Sequence, residues 1–141
     1  MKKVVLVGAL TVTVISFFSF TQKFDLKASI ARGKEVYEAN CVTCHMAEGE
    51  GIEGAFPPLA KSDYLTDKAR LVKVVLMGVR GPMKINGVQY DAEMPGVSLT
   101  DEQVSDVLNY IRNSWGNKGA AITPGEVQPS LKVVSKDYQA Y

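Results

Sequence analysis

Histidine occurs once and cysteine twice in these 141 residues. A structural zinc site takes four ligands, usually Cys or His, which is more than the chain offers. Charge of one sign is also missing. The formal net charge is +1, and no basic stripe of the kind nucleic acid requires is present. No internal repeat is visible. Only one long hydrophobic run occurs, at residues 4–20, broken by Thr11, Thr13, Ser16 and Ser19.

That run follows Lys2 and Lys3, the order of a charged n-region and an apolar h-region in an export signal. As a helix its 17 residues span roughly 26 Å at about 1.5 Å per residue, short of a bilayer core of about 30 Å. Ser19-Phe20-Thr21 is a poor small-x-small cleavage site, so residues 1–21 read equally as a cleaved signal or an uncleaved anchor. Either way the lysines stay on the cytoplasmic side and the rest is exported. Of the 16 basic residues, Lys2 and Lys3 fall in this segment, which leaves 14 against 15 acidic ones.

What is present is concentrated in one pentapeptide. Cys41-Val42-Thr43-Cys44-His45 holds both cysteines and the one histidine. It reads C-x-x-C-H, the attachment pattern of a c-type haem. Two thiols on one turn of backbone can add to the two vinyl groups of a porphyrin, and the following histidine then lies beneath the iron. A thioredoxin-like dithiol expects a βαβ context, which is missing here, and leaves His45 without a role.

The surrounding pattern is helical. A first helix is predicted over residues 26–40, with Ile30, Val36 and Tyr37 on one face and Gly33 beside them. Gly33 weakens a helix by about 1 kcal/mol, which makes sense where another helix crosses closely. Residues 46–61 read as loop. Their Gly49-Glu50-Gly51-Ile52-Glu53-Gly54 matches G-x-G-x-x-G formally, but no strand precedes it and prolines follow, which argues against a dinucleotide site. A short turn is expected at residues 62–64. Thr66 is the expected cap of a further helix ending at Gly78. Asn86-Gly87 suggests a small hairpin between Met83 and Tyr90. Thr100 and Gln103 form a capping box, followed by Val104, Val107, Leu108, Ile111 and Trp115 at helical spacing and by Gly116 as a stop. Residues 22–28 read as a linker, 29–117 as the domain, and 118–141 as a tail lying along the surface.

With a single histidine, bis-histidine ligation is excluded, and the sixth iron position falls to methionine, lysine, tyrosine or an open site. Met46 is too close to His45, and Met77 reads as core. Met94 is the favoured ligand, because Pro95 fixes the backbone and Gly96 leaves room for the porphyrin; Met83 is the alternative. Thioether sulfur favours ferrous iron, and a six-coordinate iron suits electron transfer over catalysis. The other nitrogen of His45 needs an acceptor, expected among the carbonyls of Phe56-Pro57-Pro58-Leu59.

These residues together resemble class I cytochrome c, in particular small mono-haem bacterial domains, over residues 30–117. The resemblance rests on Gly33, Tyr37 and Cys41 at intervals of four, on the C-x-x-C-H motif, and on the proline turn at Pro57-Pro58-Leu59. It rests further on Gly78 to Pro82 with Asn86-Gly87, on Met94-Pro95-Gly96, and on Leu108 to Asn117. It implies an all-α fold of three to five helices around one covalently bound haem c. Cys41 and Cys44 would carry the haem, His45 and Met94 would ligate its iron, and the Pro57 carbonyl would hold His45. It also implies that Gly33 and Tyr37 meet Val107 and Tyr110 where the first and last helices cross. Thr123 to Val127 resembles tails on cytochrome domains attached to copper nitrite reductases or dehydrogenases.

Tyr64, Tyr90, Tyr110 and Trp115 are candidates for the haem pocket, with ordinary packing as the competing reading. Lys61, Lys68, Arg70, Lys73, Arg80 and Lys84 are candidates for a docking patch, with a solvated face as the competing reading. The leading functional expectation is a monomeric, non-enzymatic electron carrier in the periplasm, serving an oxidase, reductase or dehydrogenase and no nucleic acid. A subunit anchored in the inner membrane by residues 1–21, with its haem domain facing the periplasm, is the second. A ligand-binding or peroxidatic haem with an open sixth site is the third.

Overall fold

The structure is a computed structural model and describes residues 23–135 and 138–140. The hydrophobic run at 4–20 lies outside the described residues, and no described helix is long and apolar enough to cross a membrane. The elements in chain order are α1 (Leu26–Asn40), α2 (Val42–His45), a 3-10 turn (Asp63–Thr66), α3 (Lys68–Met77), β1 (Pro82–Ile85), β2 (Val88–Asp91), α4 (Asp101–Ile111) and α5 (Pro124–Leu131). The expected all-α class holds, with one antiparallel hairpin added. Its turn residues Asn86 and Gly87 both have positive φ, 51° and 84°, which suits an Asn-Gly hairpin turn. Met83 pairs with Tyr90 and Ile85 with Val88.

Helix α1 begins where the Asp25 carboxylate accepts from the Ala28 N–H at 3.1 Å. It buries Ser29, Gly33 and Tyr37, spaced by four residues on one face. That face lies on α4. A Cβ on Gly33 would drive into the Asp106 carbonyl oxygen and sit 2.9 Å from the Tyr110 Cβ, so the two backbones approach as only glycine permits. Around the crossing runs a polar network. Asp106, 2 % exposed, accepts from Ser29 Oγ at 2.6 Å and from Arg32 Nε and Nη2 at 2.7 and 2.8 Å. Asn109 Nδ2 donates to Ser29 Oγ at 2.9 Å. The buried carboxylate is paired and hydrogen-bonded, the condition under which such burial is tolerated.

Several sequence expectations are corrected. The cap of α3 is Asp67, whose side chain accepts from the Arg70 N–H at 3.1 Å, while Thr66 belongs to the preceding 3-10 turn. Helix α4 opens with the expected Thr100–Gln103 box but ends at Ile111. Residues 118–135 are not wholly a surface tail. Ile122 and Val127 are fully buried in the same core as Tyr37, Leu71, Val72, Val104, Val107 and Leu108. Asn109 draws this segment in by accepting from the Ile122 N–H and donating to its carbonyl, both at 2.8 Å. Arg70 and Lys73 are 8 % and 9 % exposed, so they drop out of the suggested docking patch. Met77 is 48 % exposed rather than core.

Two predictions follow from this packing. Gly33→Ala forces overpacking against a backbone oxygen that cannot rotate away, and is expected to cost at least about 3 kcal/mol. Gly125→Ala, where a Cβ meets nothing within 4 Å, is expected to be within about 1 kcal/mol of wild type; guanidinium unfolding measures both. The second concerns Glu126. The Thr123 N–H, donated at 2.7 Å, holds its carboxyl below the ordinary value, aided by the Thr123 hydroxyl and Lys68. A depressed carboxyl stabilises the fold above its unfolded pKa and loses that stabilisation as pH falls through the folded one. Glu126→Gln is therefore expected to cost about 0.5–1 kcal/mol at neutral pH. In melting curves against pH, that gap should close as acid protonates the wild-type carboxyl.

Candidate functional site

The Cys41 N–H donates to the Tyr37 carbonyl at 2.8 Å, so the motif starts directly off the last turn of α1. Within α2 the His45 N–H donates to Cys41 O at 3.0 Å. This single helical turn puts residues three and four apart on one side, and Cys41, Cys44 and His45 all line the same cavity. The turn is tied down from α1, where the buried Tyr37 hydroxyl donates to the Met46 carbonyl at 2.7 Å. Tyr37 is also packed against Tyr110 and Trp115, with centroids 5.4 and 5.1 Å away.

No disulfide joins Cys41 to Cys44. Burial, with a smaller contribution from Cys44, pushes the Cys41 thiol up to about 11. A redox dithiol needs the opposite, a depressed pKa that supplies thiolate, so the environment argues against that use.

His45 Nδ1 lies 2.9 Å from the Pro57 carbonyl oxygen. A carbonyl only accepts, so Nδ1 carries the proton and Nε2 keeps its lone pair. Burial also lowers the pKa of His45, outweighing the opposing effect of Pro57. The side chain is thus a neutral imidazole with one nitrogen free for a metal, held by a backbone oxygen. The loop that brings Pro57 there is stitched by its own backbone. The Leu59 and Ala60 N–H groups donate to Gly49 O at 2.7 and 2.8 Å, and the Gly51 N–H donates to His45 O at 3.1 Å. Gly51 has φ 64°, and a Cβ there would strike the Phe56 carbonyl and lie 2.7 Å from that of Pro57.

The cavity encloses about 1070 Å³, open solvent at its mouth included. Its lining is almost wholly apolar: Leu71, Val74 and Val75 of α3, Val107 and Leu108 of α4 with Ile111 at its end, and Met83, Ile85 and Tyr90 of the hairpin. Pro57, Pro58, Tyr64 and Met94 also line it. Tyr110 does not; it is corrected to the cluster with Tyr37 and Trp115, where the aromatic rings fill the α1–α4 crossing. Tyr64 carries the Arg70 guanidinium over its ring at 3.7 Å.

Of the two candidate methionines, Met83 is on β1 and Met94 on the segment between β2 and α4. Met94 is fixed by a pair of backbone hydrogen bonds with Val79, both 2.8 Å, and the Val97 N–H donates to Val75 O at 2.8 Å. Gly96 lies against the end of α3. A Cβ there would strike the Leu76 carbonyl, with its carbon 3.0 Å away, so the glycine lets this segment press against the end of α3. The Val79–Met94 pairing had no sequence signal, because single bridges carry no periodicity.

Two thiols, a neutral half-buried imidazole, thioether sulfur and an apolar cleft are a donor set and a shape that fit a covalently bound haem. The family model for cytochrome c matches residues 30–115. The chain is 38 % identical over 93 residues to cytochrome c-552 of Thermus thermophilus, covering 62 % of this chain and 70 % of that protein. It is 38 % identical over 102 residues to the cytochrome c subunit of the quinone alcohol dehydrogenase of Gluconobacter oxydans strain 621H, covering 70 % of this chain and 20 % of that one. The cytochrome c subunit of gluconate 2-dehydrogenase from Pantoea cypripedii is 33 % identical over 105 residues, 71 % of this chain and 24 % of that one. The chain thus spans about a fifth to a quarter of these dehydrogenase subunits. It belongs to the cytochrome c family, in its class I form. Its cofactor is a covalently attached haem c, and it transfers electrons.

Cys41 and Cys44 are the only thiols in the chain, so the thioether bonds have no other sulfur to use. Replacing either by alanine is expected to leave one bond, and replacing both to leave none. The mass of the denatured protein and the shift of the alkaline pyridine spectrum distinguish the three states.

Proposed function

We propose that the protein is a mono-haem electron carrier of the periplasm, with His45 and Met94 as the axial ligands. The observation that carries this reading is that the free nitrogen of a neutral His45, oriented by Pro57, and the Met94 side chain belong to one apolar cavity. Bound haem supplies a one-electron Fe(II)/Fe(III) couple. The chain's own residues set its surroundings. The Pro57 carbonyl fixes the imidazole tautomer and makes Nε2 a better donor. The thioether of Met94 is a soft ligand that favours the ferrous state. The aliphatic walls from α3, α4 and the hairpin exclude water and disfavour added positive charge, which also favours the ferrous state. With both axial positions taken by protein, no coordination site is left for a substrate, so we read the protein as a carrier rather than an enzyme. Cys44, exposed at the cavity, marks an edge at which partners exchange electrons.

The donor and acceptor are dehydrogenases, oxidases or reductases. The likeness to cytochrome c subunits of dehydrogenases supports a dehydrogenase on the donor side. It also supports a second reading in which residues 1–21 anchor the domain to such a complex.

The visible spectrum of the ferric holoprotein tests the ligand set. The wild type is expected to show the weak long-wavelength band of sulfur-bound haem, and Met94→Ala to lose it while reduced Met94→Ala gains carbon monoxide binding. A high-spin wild type that takes up carbon monoxide at once would replace the carrier with a ligand-binding haem.

A further inference from the structure

The C-terminal segment does more than fill the core. Val127 of α5 is fully buried, and beyond α5 the chain returns along α3. The Val133 carbonyl accepts from Lys73 Nζ, and Lys73 lies over the Tyr138 ring, 5.6 Å from its centroid. The chain then reaches residues 78–81. The Tyr138 hydroxyl donates to the Gly78 carbonyl at 2.9 Å, and the Arg80 N–H donates to the Gln139 carbonyl at 3.2 Å. A Cβ on Gly81 would strike Gln139 Oε1 and lie 3.2 Å from its Cδ, so the Gln139 side chain is seated on the Gly81 backbone.

Gly78 and Arg80 flank Val79, and Val79 is the residue whose N–H and carbonyl both pair with Met94. The two tail contacts therefore brace the same short backbone stretch, on the residues either side of the one that holds the methionine. Residues 78–81 include two glycines with positive φ, 74° and 86°, and follow the last turn of α3. Such a stretch has little intrinsic stiffness, because glycine retains the most conformational freedom of any residue.

We propose that Tyr138 and Gln139 are positioning residues for the axial sulfur: they lock residues 78–81, and through Val79 keep the Met94 segment closed on the haem cavity. This rests on the reading of Met94 as an iron ligand. A segment held by few bonds opens at a free energy below that of global unfolding. An exogenous ligand that competes with sulfur senses the open fraction directly, since its apparent affinity scales with the population able to bind. Loosening the strap should raise that affinity without unfolding the protein.

The test uses ferric holoprotein and imidazole as the competing ligand, with far-UV circular dichroism for global unfolding. Tyr138→Phe keeps the ring over Lys73 and removes the bond to Gly78; deletion of residues 138–141 removes both contacts. One net hydrogen bond corresponds to about a three- to tenfold change in an equilibrium. Imidazole is therefore expected to bind about three- to tenfold tighter to Tyr138→Phe and at least about tenfold tighter to the deletion. The far-UV transition should move little in Tyr138→Phe. Val134→Ala, at a side chain 89 % exposed in the same tail, should leave imidazole affinity unchanged. Unaltered affinity in both strap variants overturns the proposal, and so does an increase that merely tracks lost global stability. Met94→Ala separates the two layers. If it leaves the wild-type long-wavelength band intact, the ligand assignment fails and the strap proposal falls with it. If the band depends on Met94 and imidazole affinity does not depend on the strap, only the strap proposal is wrong.

Discussion

The close approach of α1 and α4 at Gly33 is the constraint on which the rest of the molecule depends. With no side chain between them, the Gly33 backbone lies against the Asp106 carbonyl. This approach aligns Ser29, Asp106 and Asn109 into one hydrogen-bonded network and sets Tyr37 against Tyr110 and Trp115. Tyr37 passes the alignment on: its hydroxyl holds Met46 and its carbonyl receives the Cys41 N–H. The position of the C-x-x-C-H turn is thus inherited from a helix crossing several residues upstream. Asn109 carries the same alignment the other way, because it pairs with the Ile122 backbone and so brings α5 into the core.

The two sides of the site are built by different physics. The His45 side is local. Its loop is a run of short-range backbone hydrogen bonds ending in a carbonyl that fixes one tautomer, and its residues are spaced by twelve positions or fewer. The Met94 side is assembled from distant pieces. The end of α3, the segment after β2 and the C-terminal residues meet there through isolated bonds. Isolated bonds between distant segments open more readily than a helix packed in a core. On the proposed ligand set, the imidazole side of the haem is the rigid one and the sulfur side the separately tunable one.

Legibility in the sequence follows that division. The boundaries of α1, the Thr100 box, the Asn86-Gly87 hairpin and the His45–proline-turn contact were readable, because caps, turn residues and metal-attachment spacing act over a few residues. The misplaced features depend on tertiary contacts. Thr66 and Asp67 are both competent caps, and only the 3-10 turn before α3 decides between them. Tyr110 sits on α4 at a spacing compatible with either the cavity or the crossing, and the proximity of Gly33 settles it. The tail carries Pro124, Pro129 and Gly125, which read as surface chain. Yet Ile122 and Val127 are buried, because Asn109, itself fully buried, satisfies the backbone polar groups that would otherwise keep that segment in water. Nothing in one-dimensional patterning marks a side chain that will serve as a backbone's hydrogen-bond partner.

Leu65, Leu71, Val107, Leu108 and Ile111 belong both to the hydrophobic core and to the lining of the cavity. The redox site is therefore not a pocket cut into a finished scaffold; its walls are the packing surface that holds α3 and α4 together. Close-packed interiors resist deformation, so a centre walled by the core changes its surroundings little when its charge changes by one unit. The same sharing constrains variation. A substitution at Leu108 or Ile111 that adjusts the polarity around the iron also changes a core contact, whereas one at the Met94 segment or its C-terminal brace does not touch the α1–α4 crossing. The tunable positions of this fold are thus the ones held by isolated hydrogen bonds, and the fixed ones are those the cavity shares with the core.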